Sequence, residues 1–353
     1  METREIVIWA HSECRSTMSL FREIKRQAGV PVTISLWKYG QCDDVRQRRE
    51  VDGQRVGEYD DLGLIPIGED YARGRALLDR HLGEGVAHIF CVYQVSPVYR
   101  RLIAEAKSAG CKVFVYAEAP NEMCVGVKAW LKRVYYRFVL PRKVGNVAKY
   151  VDLFFCQSGE LGQERVSRLG WKREQIIPFG YASPPLVECE PRGELDTGDS
   201  LKILHTGLET PYRDVGTLKK AVARLKSQGC KVELACTCGT VPLGELERLY
   251  KWADVMVACG INEPWGMRVN DAIHAGLPVV VSSGMGVKMV VEETGCGCVY
   301  KQGNATALAD ALARFAADAD FRAQCHQGVI VAKEKWHPAP KAKEMLSILE
   351  KAK

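Results

Sequence analysis

The sequence predicts an α/β protein built from two Rossmann-like domains, each with a doubly wound parallel sheet. Its 353 residues exceed what one ordinary hydrophobic core organises and fit two domains. Short apolar runs alternate with amphipathic helical stretches along the chain, which is typical of parallel strands covered by helices. Several helical stretches also end in Gly just before a strand, as in SAGCKVFVYA and SQGCKVELAC, and a glycine there is typical of a helix C-cap.

The elements follow one another in two groups. The expected strands of the first half are EIVIWA, VTISLW, HIFCVY, KVFVYA and LFFCQS, and those of the second half are LKILHTG, KVELACT, DVMVACG, PVVVSS and GCVY. The clearest helices between them are SPVYRRLIAEAKSAG, VGTLKKAVARLKSQG and NATALADALARFAADADF. The proline- and acid-rich stretch YASPPLVECEPRGELDTGDS separates the groups. We therefore expect an N-terminal domain over 1–183, a C-terminal domain over 184–334, and a helical segment over 335–353 that packs back on the N-terminal domain.

Composition excludes several classes of protein. The chain is 47% hydrophobic and 26% charged, which is normal for a soluble protein, and no apolar run approaches the ~18 residues of a membrane span. The start carries no secretory signal, so we expect a cytoplasmic protein. Two cysteine pairs, Cys236/Cys238 and Cys296/Cys298, lack the companion ligand pairs of a zinc site. Reduced thiols are favoured over a structural metal.

The stretch INEPWGMRVNDA, Ile261 to Ala272, carries the most chemistry. Two such domains are expected to face a shared cleft at the carboxyl ends of their strands, where this architecture binds ligands. A helix that starts after Gly266 would direct the N–H groups of Gly266 and Met267 toward a phosphate. Glu263 is suited to accept hydrogen bonds from sugar hydroxyls, and Asp271 from a ribose diol. The alternative is that Glu263 only caps the helix and Asp271 lies on the surface.

The motifs EPWGMRVND and AGLPVVVSS resemble the donor-binding signature of the retaining glycosyltransferases of family 4, which have two Rossmann-like domains in the GT-B architecture. The resemblance implies that Glu263 holds hydroxyls of the transferred sugar. It also implies that the amides of Trp265, Gly266 and Met267 hold the sugar ring or the diphosphate. Asp271 stands where the family has Glu, and the resemblance implies that it contacts the nucleotide ribose.

A second turn, HTGLETPYRDVGTLKKA, matches the family's diphosphate-binding turn in part. Gly207 is present, Leu208 replaces the family's Arg, and Arg213 stands near the family's Lys. Arg213 is therefore the candidate phosphate clamp, because a guanidinium engages phosphate oxygens bidentately. The alternative for Arg213 is a solvated turn residue.

The first domain offers two further candidates. Many family members place a His near the reacting carbon, and the corresponding strand end here is VFVYAEAPNE, which brings Glu118 to that position. Glu118 either orients or deprotonates an acceptor hydroxyl or caps the loop. His11, at the end of the first strand, is a second candidate.

A basic amphipathic stretch, VKAWLKRVYYRFVLPRKVGNVAKY, contains no acid. On a helical wheel Trp130, Leu131, Val134 and Phe138 lie opposite Arg133 and Arg137. Such a face either binds an anionic membrane or lipid-phosphate acceptor or packs its apolar stripe on the domain's own sheet. No nucleic-acid recognition motif accompanies the charges. The cations of this patch are Lys128, Lys132, Arg133, Arg137, Arg142 and Lys143, with Lys149 beyond them.

Together these features predict a retaining glycosyltransferase with Glu263, Arg213 and Glu118 as its catalytic set. It would move a sugar from a nucleotide-diphosphate sugar to a saccharide or lipid-linked acceptor hydroxyl in surface-polysaccharide or glycolipid assembly. We expect no cofactor, and no obligatory metal, because no Asp-x-Asp pair lies in a plausible metal-binding turn. The alternatives are a nucleotide-sugar epimerase or hydrolase on the same fold, and a scaffold that binds a nucleotide sugar without turnover.

Overall fold

A computed structural model describes residues 2–38, 58–187, 189, 200–237, 239 and 241–352. Most of the predicted linker and Cys238 lie outside these ranges. Contacts within the chain divide it into two compact units. The first unit contains Met1–Pro120, Leu131–Ala182 and Pro338–Lys353, and the second contains Asn121–Trp130 and Ser183–His337. Each unit holds one parallel sheet, so the predicted α/β fold class is confirmed.

The first unit contains a seven-stranded sheet in the order β3-β2-β1-β4-β5-β6-β7, with every neighbouring pair parallel. The order reverses between β1 and β4, as in a doubly wound domain. The strands are β1 (Glu5–Ser12), β2 (Val32–Lys38), β3 (Ile65–Pro66), β4 (Val86–Phe90), β5 (Lys112–Ala117), β6 (Leu153–Cys156) and β7 (Ile176–Pro178).

Helices cover both faces of this sheet, and two apolar cores separate them from it. The helix Pro97–Ser108 begins at Ser96, whose side chain accepts the Tyr99 N–H, and Gly110 follows its end with a positive φ of 82°. The expected Gly C-cap is therefore present. The α-helices assigned to this sheet are Arg15–Gln27, Tyr71–Asp79, Pro97–Ser108, Leu140–Val144 and Gly159–Ser167.

The helix Pro338–Lys351 belongs to the first unit, although it follows the second unit in the chain. Ala342, Met345 and Leu349 are buried in the same core as residues of β1 and β2. The backbone carbonyl of Ala339 accepts a hydrogen bond from Gln27 at 3.1 Å. This helix therefore completes one face of the first sheet.

The second unit contains a five-stranded parallel sheet in the order β12-β11-β10-β8-β9. Its order reverses between β8 and β10, so those two strands flank the point where ligands of doubly wound sheets bind. The strands are β8 (Leu201–His205), β9 (Val232–Cys236), β10 (Val255–Ala258), β11 (Val279–Ser282) and β12 (Gly297–Tyr300). The helices are Val215–Ser227, Leu243–Trp252, Met267–His274, Lys288–Thr294, Ala305–Ala317 and Ala319–Lys335.

The basic stretch forms a helical run of three pieces: Gly126–Val134, a π-helical turn over Tyr135–Val139, and Leu140–Val144. No side chain of the first two pieces is buried. The predicted apolar stripe is largely exposed, with Trp130 at 63%, Leu131 at 55% and Phe138 at 51%. The alternative in which this stripe packs on the domain's own sheet is therefore wrong.

Within the described ranges, no helix combines the length and apolar character that crossing a bilayer requires. None of the described cysteines, which include Cys236, Cys296 and Cys298, forms a disulfide.

Candidate functional site

The candidate donor site lies at the carboxyl ends of β8 and β10, beside the reversal of strand order in the second sheet. The turn after β8 carries Gly207 and Arg213, and the turn after β10 carries Glu263. A backbone hydrogen bond of 2.8 Å from the Ile261 N–H to the Tyr212 carbonyl joins the two turns. Two segments far apart in sequence are thus held together at the point where this fold places its ligands.

Gly207 bends the first of these turns. Its φ of 116° favours glycine, and its N–H donates to Thr237 Oγ1 at 3.1 Å. The chain then reaches a short 3₁₀ turn, Pro211–Arg213, in which the Arg213 N–H donates to the Thr210 carbonyl at 2.9 Å. This turn fixes the backbone from which the Arg213 side chain extends.

The second turn is anchored on its far side by the loop after β11. Glu263 forms an isolated parallel bridge with Met285, and the Glu263 carbonyl accepts the Gly286 N–H at 3.1 Å. Gly260 packs tightly here, because a Cβ at that position would lie 2.7 Å from Glu263 Oε2. The Glu263 side chain is therefore set by close packing as well as by its polar partners.

Glu263, Arg213 and Arg268 form a buried ion triad. Glu263 Oε1 accepts hydrogen bonds from Arg213 Nη1 at 2.7 Å and from Arg268 Nη1 at 3.0 Å. Glu263 Oε2 accepts a third from Arg268 Nη2 at 3.0 Å, so Arg268 binds the carboxylate bidentately. The exposed fractions of the three side chains are 7% for Glu263, 8% for Arg268 and 23% for Arg213.

Burial raises the pKa of the Glu263 carboxyl, and the neighbouring Arg213 acts in the opposite direction. The residue before the helix is Gly266, and no side chain caps that helix. The alternative in which Glu263 only caps the helix is therefore wrong. The alternative in which Arg213 is a solvated turn residue is also wrong, because its guanidinium is paired with a buried carboxylate.

The helix Met267–His274 begins inside this site. Gly266 has a φ of 120°, and the first N–H groups of any helix lack partners within it. Asp271 is 3% exposed, so the alternative that it lies on the surface is wrong. The Trp265 indole faces the interior, donating to Asn270 Oδ1 at 2.8 Å and packing on Trp336 at 5.4 Å between ring centroids. Any ligand contact from Trp265 would therefore come from its backbone.

Several buried polar atoms around the turn after β8 have no hydrogen-bond partner among the residues that the structure describes. Buried polar groups are normally paired, so several such atoms near one turn indicate polar groups that a bound ligand or water would satisfy. These atoms are His205 Nε2, Thr206 Oγ1, Thr210 Oγ1, Arg213 Nε and Arg268 Nε.

Glu118 follows β5 in the first unit, as the sequence predicts. The Tyr181 hydroxyl has a single proton to donate, and two acceptors lie within hydrogen-bond distance of it: Gln157 Oε1 at 2.7 Å and Glu118 Oε1 at 3.1 Å. Burial and the Glu118 charge raise the pKa of Tyr181. His11 lies near the end of β1 with its ring exposed, in edge contact with Trp37 at 4.9 Å.

Arg268 is the residue that sequence reasoning missed. It stands two residues after Gly266 in the motif EPWGMR, and its place in the first turn of a ligand-facing helix was the signal available. The described ranges contain no group of three or more His, Cys, Asp or Glu side chains that could hold a metal ion.

Comparison with known proteins agrees with this architecture. Residues 215–329 match the family described as glycosyl transferases group 1. This region contains Glu263, Arg268 and the helix Met267–His274, and it begins two residues after Arg213. None of the curated proteins compared with the chain matches it.

Solved structures match nearly the entire chain. HepE of Anabaena, solved in complex with UDP, has a TM-score of 0.64 at 10% identity, covering 98% of this chain and 99% of its own. The lipopolysaccharide outer core galactosyltransferase WaaB has a TM-score of 0.63 at 11% identity, covering 97% and 98%. Sucrose-phosphate synthase of Thermosynechococcus elongatus has a TM-score of 0.62 at 14% identity, covering 98% of both chains. The predicted resemblance to GT-B glycosyltransferases is confirmed.

Proposed function

We propose that this chain, whose second unit carries the glycosyl transferases group 1 region, is a retaining glycosyltransferase that uses a nucleotide-diphosphate sugar. The observation that carries the proposal is the buried Arg213–Glu263–Arg268 triad at the carboxyl ends of β8 and β10, whose two arginine Nε atoms have no hydrogen-bond partner among the described residues. UDP bound to HepE, which shares this fold, supports a nucleoside diphosphate as the leaving group.

The proposed mechanism follows from where charge develops. As the glycosidic bond breaks, negative charge builds on the departing diphosphate. Arg213 and the first N–H groups of the helix Met267–His274 stabilise it there. Glu263 fixes hydroxyls of the transferred sugar, and Asp271 contacts the ribose. In a retaining transfer the acceptor attacks from the face that the leaving group vacates.

A panel of nucleotide sugars, each incubated with and without saccharide or lipid-linked acceptors, tests the proposal. Nucleotide release that requires an acceptor supports transfer, and the anomeric configuration of the product tests retention. Release without any acceptor would instead indicate the hydrolase, and a changed donor sugar the epimerase. Binding without turnover under every pairing would indicate the scaffold and overturn the proposal.

We also propose that Glu118 serves the acceptor. The Tyr181 hydroxyl lies 3.1 Å from Glu118 Oε1 and orients the carboxylate that follows β5, the strand end where the resemblance places the acceptor-side residue. We expect Glu118→Gln to lower transfer by roughly 10²- to 10⁴-fold, the usual contribution of a general base, with little change in donor binding. The same substitution at the exposed Glu160 is the control. Equal losses of transfer and donor affinity would contradict an acceptor role.

The acceptor and the setting of the reaction are proposed from the basic helical run Gly126–Val144. Its exposed face combines apolar Trp130, Leu131 and Phe138 with the cations Arg133 and Arg137. Apolar side chains that enter the headgroup boundary beside exposed cations fit an anionic bilayer surface. A peripheral position on such a surface suits a lipid-linked acceptor, as in glycolipid or surface-polysaccharide assembly.

We expect the protein to cosediment with vesicles that contain an anionic phospholipid and not with purely zwitterionic vesicles. Replacing Arg133 and Arg137 by Glu should weaken this binding by at least roughly 30-fold, since each basic residue contributes about 1 kcal/mol near such a surface. The matched control reverses Arg224 and Lys226, which are exposed on the helix Val215–Ser227. Equal losses in both variants, or unchanged binding in the first, would exclude this surface as the contact.

A further inference from the structure

The turn after β8 lacks a cation at the position where the resemblance expects one. Leu208 occupies that position and is 58% exposed. A diphosphate carries more charge than Arg213 alone neutralises, and phosphate sites in proteins usually gather several N–H donors. A second cation from elsewhere in the chain would supply the positive charge that Leu208 lacks.

Arg268 lies beside this turn. A Cβ on Gly207 would stand 3.9 Å from Arg268 Cδ, so the Arg268 side chain passes next to the residue that precedes Leu208. The side chain is 8% exposed and ends on the same carboxylate as Arg213. A cation that starts from the helix Met267–His274 thus reaches the turn from which the expected one is missing.

Arg268 also has N–H groups that its contact with Glu263 does not use. A guanidinium has five N–H groups. In Arg268 the bidentate contact with Glu263 uses two of them, and Nη2 also lies 3.9 Å from Met285 Sδ. Among described residues, neither Arg268 Nε nor Arg213 Nε has a hydrogen-bond partner. The hydroxyls of Thr206 and Thr210 on the adjoining turn are likewise unpaired within that part of the chain. The two arginines therefore have further N–H groups available to a ligand, close to two threonine hydroxyls that have no hydrogen-bond partner among the described residues.

We infer that Arg268 is the second cation for the donor diphosphate and takes the place of the one missing at Leu208. Glu263 holds both guanidinium groups in position when no donor is bound, and their remaining N–H groups donate hydrogen bonds to the phosphate oxygens. The inference rests on the proposed nucleotide-sugar site and names the residue that binds the phosphate farther from the nucleoside.

The test compares affinity for a nucleoside diphosphate with affinity for the monophosphate of the same base, using calorimetry. In Arg268→Gln we expect diphosphate affinity to fall roughly 10- to 100-fold, the range for losing a charged hydrogen-bond donor. Monophosphate affinity should change less than about threefold. Arg224→Gln, an exposed arginine of the same unit, is the matched control and should change neither.

A rescue variant sharpens the result. Adding Leu208→Arg to Arg268→Gln restores a cation on the turn, and we expect it to recover most of the lost diphosphate affinity. Should Arg268→Gln alone fail to fold, Glu263→Gln and the double variant Glu263→Gln/Arg268→Gln give the same comparison. Both of these variants replace the Glu263 carboxylate by an amide, so neither leaves a buried carboxylate without a cation.

The outcomes separate this inference from the proposed function. If the wild type binds diphosphates and Arg268→Gln discriminates against the monophosphate as strongly as the wild type does, the inference is wrong and the proposed function stands. Equal weakening of both ligands would also overturn it, because general damage to the site explains that pattern. If the wild type binds no nucleoside diphosphate or nucleotide sugar, both proposals fail.

Discussion

Glu263→Gln is expected to lower the rate of sugar transfer by at least about 100-fold, the scale seen when one preorganised polar group is lost from a catalytic site. The amide keeps the shape of the side chain but replaces one acceptor oxygen with a donor that faces a guanidinium. Arg213 and Arg268 would both lose part of their anchor. The measurement is acceptor-dependent nucleotide release under saturating donor.

Glu263→Ala tests a different quantity. It leaves two guanidinium groups, 8% and 23% exposed, without their counter-ion. Removing one partner of a buried ion pair costs roughly 3 to 5 kcal/mol, so a lower free energy of unfolding is expected along with lost activity. Glu245→Gln, at an exposed position of the same unit, is the control for both variants. Full activity in Glu263→Gln would remove this residue from the catalytic set.

Acidification is expected to destabilise the first unit through His88. This ring is buried in β4, with His88 Nε2 2.9 Å from the His81 carbonyl and His88 Nδ1 accepting the Trp9 indole N–H at 3.1 Å. Both nitrogens are thus engaged in the neutral form, and burial lowers the pKa of His88 to about 4 from an ordinary value of 6.5. The unfolded chain therefore takes up this proton first as the pH falls.

The sign of the effect follows from that order. Stability from the neutral ring is fully present above pH 6.5 and is lost as the pH falls toward 4. Each pH unit in that window costs about 1.4 kcal/mol, so the free energy of unfolding should drop by about 2 kcal/mol between pH 6.5 and pH 5. Urea unfolding at both values measures it. His88→Gln should lose this increment while His11→Gln, at an exposed ring, keeps it; an unchanged pH dependence in His88→Gln would contradict the assignment.

The sequence predicts most of the fold because its strands and helices differ in periodicity and are separated by glycine-capped turns. It does not predict β3 or β7, which contain two and three residues and include a proline each. Segments that short form strands because a neighbouring strand offers hydrogen bonds. Their own residues carry no pattern long enough to indicate this.

The sequence indicates the individual residues of the candidate site but not the contacts between them. Glu263 and Arg213 stand out by motif, yet their ion pair joins residues 50 positions apart and depends on how β8 and β10 bring two turns together. The sequence does not single out Arg268, because an arginine in a helix is ordinarily expected to face solvent. The apolar stripe around Trp130 is visible in the sequence, but periodicity alone does not determine whether another element covers it.

The helix Pro338–Lys351 has a consequence for how the protein is made. Its residues Ala342, Met345 and Leu349 fill a core of the first unit, while the second unit intervenes in the chain. A ribosome adds roughly 5 to 20 residues per second. The helix that covers one face of the first sheet is therefore synthesised roughly 10 seconds or more after the last strand of that sheet. During that interval the apolar side chains of this core, such as Phe21 and Ile34, are without that cover, and apolar surface exposed in this way makes a partly folded chain prone to aggregate.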